Sequence, residues 1–518
     1  MNDALAQLPG LLTAHLRLTL AALGTGALLS IPAGVLVSRV AFLERPVLAA
    51  AGIIQTIPAL ALLAVMVPLL AGLGLPGIGP LPALIGLTLY SVLPMLRNTV
   101  TGLAGLDPAV IEAARGIGMT DRQRLFRVDL PLALPVIVAG VRTAAVWTVG
   151  MATLSTPVGA ESLGNLIFGG LQTRNLASVL VGCAASAALA LLLDGLIQTM
   201  ARGVALRRPG LRAAGLLGLV ALACWAIAAP TLRTAGGGSK PVRIGAKTFT
   251  EQYVLSEILA GQVRRVTGAP AEVTPSLGST VAFDALARRE IDAYVDYTGT
   301  IWATLMGRSG AGEGRAAVLA EVKAWLETAR GVHVAAVLGF ENSYAFAVSR
   351  ATAARRRLAS VSDLAEARPL LRAAADYEFW QRSEWRSVER RYGLAFAERR
   401  TMDPSLLYAA AGQDQVDVIT AYSSDGRIAA YDLVVLPDDR GAIPPYDAVV
   451  LVAPGLATDR PDVVAALAAL DGRIPVETMR ALNRKVDQGG ESPARVAEGF
   501  LAAAPVSAPS PVAGSREP

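Results

Sequence analysis

The chain has 518 residues, of which 53% are hydrophobic and only 17% charged, and it carries a formal net charge of +5. Two cysteines and two histidines, with His15 and His333 far apart, leave no zinc site, disulfide framework or nucleophile–His–acid set to assemble, so neither a metal or other cofactor nor an enzymatic activity is expected. The positive charge does not point to nucleic acid, because the basic residues of the first half are arginines in short loops between apolar runs.

A membrane-spanning helix needs about 20 apolar residues to cross a hydrocarbon core ~30 Å thick. Six stretches qualify, at about 14–38, 47–71, 81–100, 133–154, 176–200 and 213–230. Arg39 and Arg45 follow the first. Arg97, Arg115, Arg122, Arg124 and Arg127 follow the third, and Arg202, Arg207, Arg208 and Arg212 the fifth; the intervening loops carry only Arg174. Basic loops face the cytoplasm, which places the N-terminus and everything beyond the sixth span on the outer side. Two proline-bearing stretches, Gln55-Thr56-Ile57-Pro58 and Ser91-Val92-Leu93-Pro94, read either as helix kinks or as broken helices lining a translocation path.

The third cytoplasmic loop, 107–131, carries a local pattern of its own. Asp107-Pro108 suits a helix start, Gly116 or Gly118 a stop, and Thr120 with Gln123 a capping box that opens a second short helix ending before Leu130-Pro131. A helix–turn–helix with small alanines suits docking into another protein's groove. Glu112-Ala113-Ala114, Gly118, Val128 and Leu130-Pro131 resemble, in their spacing, the coupling-helix motif of ABC importer permeases, a resemblance covering about residues 10–205. It implies that Glu112, Ala113, Ala114, Gly118, Leu130 and Pro131 receive the stroke of an ATPase. None of the four lysines follows a glycine, so the chain has no phosphate-binding loop and ATP hydrolysis is expected of a separate subunit.

Residues 206–240 read as a sixth span and a Gly-rich linker. Ala226-Ile227-Ala228 resembles a signal-peptidase site, but an uncleaved anchor is the favoured reading. From 241 to about 502 short β-like runs alternate with helical patterns. Strands are expected at 242–245, 271–273 and 291–295 and helices at 251–266 and 280–289, which makes an α/β domain with mainly parallel strands in two lobes, the second at about 346–440. The Pro-, Ser- and Ala-rich stretch 503–518 is expected to be disordered.

Four tyrosines of this half stand beside turn residues: Tyr297, Tyr344, Tyr422 and Tyr446. A quaternary ammonium has no N–H to donate, and aromatic faces attract its diffuse charge while accommodating its methyl groups. Read singly, each tyrosine is more readily a half-buried core ring than a cage wall. In context, Gly245-Ala246-Lys247-Thr248-Phe249-Thr250-Glu251-Gln252, Tyr294-Val295-Asp296-Tyr297-Thr298-Gly299-Thr300, Tyr422 to Ile428 and Pro444-Pro445-Tyr446-Asp447 resemble the solute-binding proteins of osmoprotectant ABC importers. The resemblance implies a periplasmic-binding-protein fold of the type II kind behind an all-α permease of five core helices and one anchoring helix. It implies a cage of Tyr297, Tyr344, Tyr422 and Tyr446, with Lys247, Thr300 and Arg382 on a ligand carboxylate and Asn342 lining the cage. Around Arg382 the stretch Asp376–Trp385 departs from the family pattern, lacking Asp-Gly and carrying two tryptophans.

The expected protein is a multi-pass component of a bacterial inner (cytoplasmic) membrane, a homodimer through its permease half, which serves an ATPase subunit and imports glycine betaine, choline, carnitine or a related betaine. Ergothioneine, a trimethylammonium betaine, fits the same cage. Uptake of another amine or amino acid with purely structural tyrosines, and a ligand-gated membrane sensor, are the competing readings.

Overall fold

The first apolar run folds as one continuous helix, α1 (Asn2–Val37). The second does not. It breaks into α2 (Ala41–Thr56) and α3 (Ala59–Gly72), bent by 97° to each other. Ile57 between them is extended, at φ −71° and ψ 126°, because the ring of Pro58 denies the preceding residue the helical region. Pro94, by contrast, is absorbed inside the unbroken α4 (Pro80–Ala104). In this computed structural model all residues are described except 1, 174, 235–239, 309–313, 368–369, 377–378, 403 and 504–518, so most of the Gly-rich linker and the C-terminal stretch lie outside the described residues.

The loop after α4 forms α5 (Pro108–Gly116), with the Asp107 carboxylate accepting from the Ala109 N–H at 2.9 Å. The chain turns at Gly118, whose φ of +80° is left-handed territory that a side chain would strain. Thr120 and Gln123 close the expected capping box over α6 (Asp121–Arg124). The expected stop before Leu130-Pro131 is absent. A π-helical turn, Leu125–Asp129, carries the helix straight into α7 (Leu130–Ala152), with the Leu130 N–H reaching back to the Leu125 carbonyl. Arg124 spans that turn to reach Asp129 at 3.2 Å.

Then follow α8 (Gly164–Gln172), α9 (Leu176–Ala205) and α10 (Pro209–Thr234). Among the described residues five helices are long and apolar enough to cross a membrane, six spans if the bent α2–α3 pair counts as one. Helix α10 is part of the bundle: Leu219, Leu222 and Ala226 join Leu16, Val149, Leu189 and Leu193 in one apolar cluster. Among these helices Arg142 of α7 and Asp194 of α9 form a two-pronged ion pair at 2.7 and 2.9 Å, the arrangement a charge needs where little water reaches it.

By its contacts the chain divides into this helical unit and a second one built on ten strands. The strands are β1 (Val242–Lys247), β2 (Ala271–Leu277), β3 (Ala293–Tyr297), β4 (His333–Glu341), β5 (Tyr344–Ser349), β6 (Arg372–Ala375), β7 (Glu398–Thr401), β8 (Val418–Tyr422), β9 (Leu433–Leu436) and β10 (Asp447–Val452). They make two sheets, in the orders β2-β1-β3-β10-β4 and β7-β6-β8-β5-β9. The expectation of mainly parallel strands meets one reversed strand in each sheet, β10 in the first and β5 in the second. β1 pairs with β3, and β6 with β7 and β8, in parallel, but β10 runs antiparallel to β3 and β4, and β5 antiparallel to β8 and β9. The reason is topological. The chain leaves the first sheet through β4, crosses to the second at Asn342-Ser343, and re-enters through β10 against the direction of its neighbours. Each sheet has its own apolar core, one around Ile244, Val295 and Val450, the other around Phe346, Ala373 and Phe379.

Candidate functional site

The four tyrosines singled out by their sequence context all stand where a strand meets the space between the two sheets. Tyr297 ends β3, Tyr344 opens β5, Tyr422 ends β8, and Tyr446 immediately precedes β10. Tyr344 and Tyr422 face each other across the antiparallel β5–β8 pair, with ring centroids 5.0 Å apart. Tyr446 meets Tyr344 edge-on at 6.5 Å. Phe249 completes the set, 6.2 Å from Tyr297 and 6.4 Å from Tyr422 with its plane only 6° from the latter. Five rings from both sheets thus form contiguous aromatic walls. Tyr446 packs against backbone: a β-carbon on Gly299 would fall 2.4 Å from its ring, so only glycine leaves it this position.

Behind the rings lie carboxylates. Tyr297 donates its hydroxyl to Glu251 at 2.5 Å, Tyr446 donates to Glu384, and Tyr422 lies 3.3 Å from Asp376. Burial first, and then the adjacent carboxylate charge, lift the Tyr297 and Tyr446 hydroxyls well above the usual phenol range, so both rings stay neutral donors. Burial works to raise the Glu384 carboxyl too, but the Arg382 guanidinium, 2.8 Å away, outweighs it and holds the group below the usual carboxylate range. Arg382 also lies 5.3 Å from the centroid of Tyr344 and reaches the Tyr446 hydroxyl at 3.5 Å.

Lys247, at the end of β1, forms a buried ion pair with Asp296 and sits 5.6 Å from the Tyr297 ring centroid. Asp296 in turn accepts from the Tyr294 hydroxyl at 2.5 Å and the Tyr297 N–H at 2.7 Å. Asn342, on the crossing between the sheets, donates to Glu251 at 2.9 Å. Thr300 is half-buried, one turn beyond Tyr297. The fold therefore gathers the predicted residues in one region, but both basic side chains expected to grip a carboxylate already hold one of the protein's own. The two tryptophans beside Arg382 belong elsewhere: Trp385 is buried against Phe396 and Trp380 in the core of the second sheet.

In the helical unit Glu112, Ala113, Gly118 and Pro131 are exposed, Leu130 is half-buried and Ala114 is buried. Ile117, 74% exposed, and Phe126, 61% exposed, present apolar surface on the same loop. Among the described residues no cluster of His, Cys, Asp and Glu suits a metal ion.

Residues 240–503 match the family described as the substrate binding domain of the ABC-type glycine betaine transport system, and residues 26–206 match the binding-protein-dependent transport system inner membrane component. The chain is a member of the glycine betaine-type ABC transport family, with permease and binding domain fused. It is 30% identical over 470 residues to an ergothioneine transport permease/ergothioneine binding protein of Helicobacter pylori, a match covering 86% of this chain and 81% of that one. Its permease half is 42% identical to an osmoprotectant import permease protein of Salmonella typhimurium, over 39% of this chain and 93% of that one. Its binding half is 32% identical to a carnitine transport binding protein of Listeria monocytogenes, over 51% of this chain and 88% of that one.

Two residues of the candidate site escaped the reading of its tyrosines, Phe249 and Glu251. Both lie in Phe249-Thr250-Glu251-Gln252, at the start of helix Thr250–Thr267. An aromatic residue and an acid opening a helix right after a strand, in a fold that gathers its site at strand ends and helix starts, were the available signal.

Proposed function

We propose that this transporter imports a quaternary-ammonium solute of the glycine betaine, choline or carnitine kind, held in a cage of Phe249, Tyr297, Tyr344, Tyr422 and Tyr446. The observation that carries this reading is the contiguity of five rings drawn from both sheets, which suits a cation that is attracted to ring faces and has no N–H to place. Lys247, Thr300, Asn342 and Arg382 border the cage, and an arginine fork suits a ligand carboxylate wherever it gives up its hold on Glu384. Ergothioneine is the second reading, favoured by the relative that spans both halves of the chain; it carries the same trimethylammonium group.

In this scheme a separate ATPase subunit docks on the 107–131 loop, around Glu112, Ala113, Ala114, Gly118, Leu130 and Pro131, and hydrolysis there drives inward release. Two permease halves pair, in a bacterial inner membrane, with the N-terminus and the binding domain outside. The exposed Ile117 and Phe126 support docking on this loop.

The test is calorimetry of the purified full chain against choline, glycine betaine, carnitine, proline betaine and ergothioneine. Micromolar or tighter binding of one of them is expected, and silence across the whole panel would sink the ligand class. ATP-driven uptake into proteoliposomes, only in the presence of an ATPase subunit, tests the division of labour.

A further inference from the structure

Besides Asp376 behind Tyr422, the buried carboxylates behind the cage include Asp296, Glu384 and Glu251, and these three are compensated differently. Asp296 faces Lys247, and Glu384 faces Arg382. Glu251, only 3% exposed, faces no cation: its partners among the described residues are the Tyr297 hydroxyl at 2.5 Å and the Asn342 amide at 2.9 Å on one oxygen, and the Ser424 hydroxyl at 2.5 Å and the Asn483 amide at 3.2 Å on the other. Four neutral donors on two oxygens fill the lone pairs of an ionised carboxylate and match poorly with a protonated one. They hold the charge without cancelling it.

We propose that Glu251 is the buried counter-charge for the ligand's cation, acting through Tyr297 and making the site prefer ligands of net positive charge. The inference rests on the cage reading above. A phenol that donates to a carboxylate gains electron density on its ring face, and a cation over that face feels both the ring and the charge behind it. Tyr297 is a cage wall whose hydroxyl ends on Glu251, so the charge lies one ring away from the ligand. Because Lys247 and Arg382 are committed to Asp296 and Glu384, a ligand carboxylate must compete with the protein's own for positive charge, while a ligand cation over Tyr297 meets the Glu251 charge behind that ring.

A proton linkage follows. Burial pushes the Glu251 carboxyl above its usual range, opposed by the hydrogen bonds from Ser424, Tyr297, Asn483 and Asn342. A bound cation favours the ionised form and lowers that value again, so affinity rises with pH through the raised Glu251 range, levels off above it, and binding releases part of a proton. Other ionisable groups on the elements packed against Glu251 include Tyr297 on β3, the Lys247–Asp296 pair, Asp487 on helix Val476–Asp487, which accepts from Thr250 at 2.7 Å, Glu477, Arg484 and Lys485 of the same helix with Arg480, which donates to the Ser423 carbonyl at 2.8 Å, and the Asp425–Arg427 pair beyond Ser424.

The experiment is calorimetric titration of the full chain with choline, a cation, and glycine betaine, a zwitterion, from pH 5 to 8 in buffers of different protonation enthalpy, repeated on Glu251→Gln. Expected are proton release on choline binding in the unmutated chain, and a loss of choline affinity on the order of tenfold in Glu251→Gln that exceeds the loss for glycine betaine and flattens the pH slope. Equal losses for both ligands, or a pH slope that survives Glu251→Gln, would assign Glu251 a merely structural role and overturn the proposal. Should Glu251→Gln not fold, absence of proton release in the unmutated chain overturns it alone. Failure of either ligand to bind at all would strike the cage reading instead.

Discussion

The helical unit holds a charge between its helices as a closed pair, and the binding unit, beside closed pairs of its own, also holds a buried carboxylate that pairs with no cation among the described residues. Between α7 and α9 the Arg142–Asp194 pair is closed, the guanidinium donating one hydrogen bond to each carboxylate oxygen. In the binding unit the partners of Glu251 among the described residues are neutral dipoles, so its charge remains available. A closed pair serves the fold, since splitting it strands an ion in an apolar setting. A charge held by neutral donors stabilises little by itself, but it prepares a field for something else to occupy.

The largest test of that contrast is to split the closed pair. Asp194→Ala leaves Arg142 alone among apolar helices and is expected to cost about 3 kcal/mol, read as a fall in melting temperature and in monodisperse yield in detergent. Adding Arg142→Ala should recover much of the loss, and a single variant as stable as the double would break the comparison. Next comes the cage. Tyr297→Ala, Tyr344→Ala, Tyr422→Ala or Tyr446→Ala should each weaken solute binding by ~1–2 kcal/mol or more, with Tyr297→Ala also removing the pH dependence, because the path from Glu251 runs through that ring. Phe249→Ala should cost about 1 kcal/mol and leave the pH dependence intact, since its ring has no hydroxyl to carry the charge. The smallest effect lies back in the helical unit. Asp107→Ala removes a cap worth ~1 kcal/mol to α5, seen as faster amide exchange over residues 109–116, with solute affinity unchanged.

The two units also differed in how far their sequences could be read. Hydrocarbon imposes length and apolarity on a span, and so the helices announce themselves. What stayed hidden were the places where backbone geometry overrides composition: the 97° break at Ile57-Pro58 and the π turn that carries the helix through Leu130-Pro131. Both prolines were visible, but whether a proline bends, breaks or is absorbed depends on its neighbours in space, as the unbroken α4 around Pro94 shows. In the binding unit, short strands flanked by turn residues located the four tyrosines. The antiparallel return through β10 was not legible, because a run of valines reads the same in either direction. Nor were the partners of Lys247 and Arg382. Asp296 and Glu384 lie in the sequence as ordinary acids, and only the fold brings Asp296 to Lys247 and turns Glu384 onto both Arg382 and Tyr446.

The seat of Tyr446 on the backbone of Gly299 gives this site a mechanical stop. A ring that rests on a neighbouring side chain can yield when that side chain moves, whereas one that rests on a main chain cannot. The width of the cage on that side is therefore fixed by a missing methyl group, and Gly299→Ala would act as a shim: it would drive the Tyr446 ring inward and select for a smaller headgroup without adding or removing any charge.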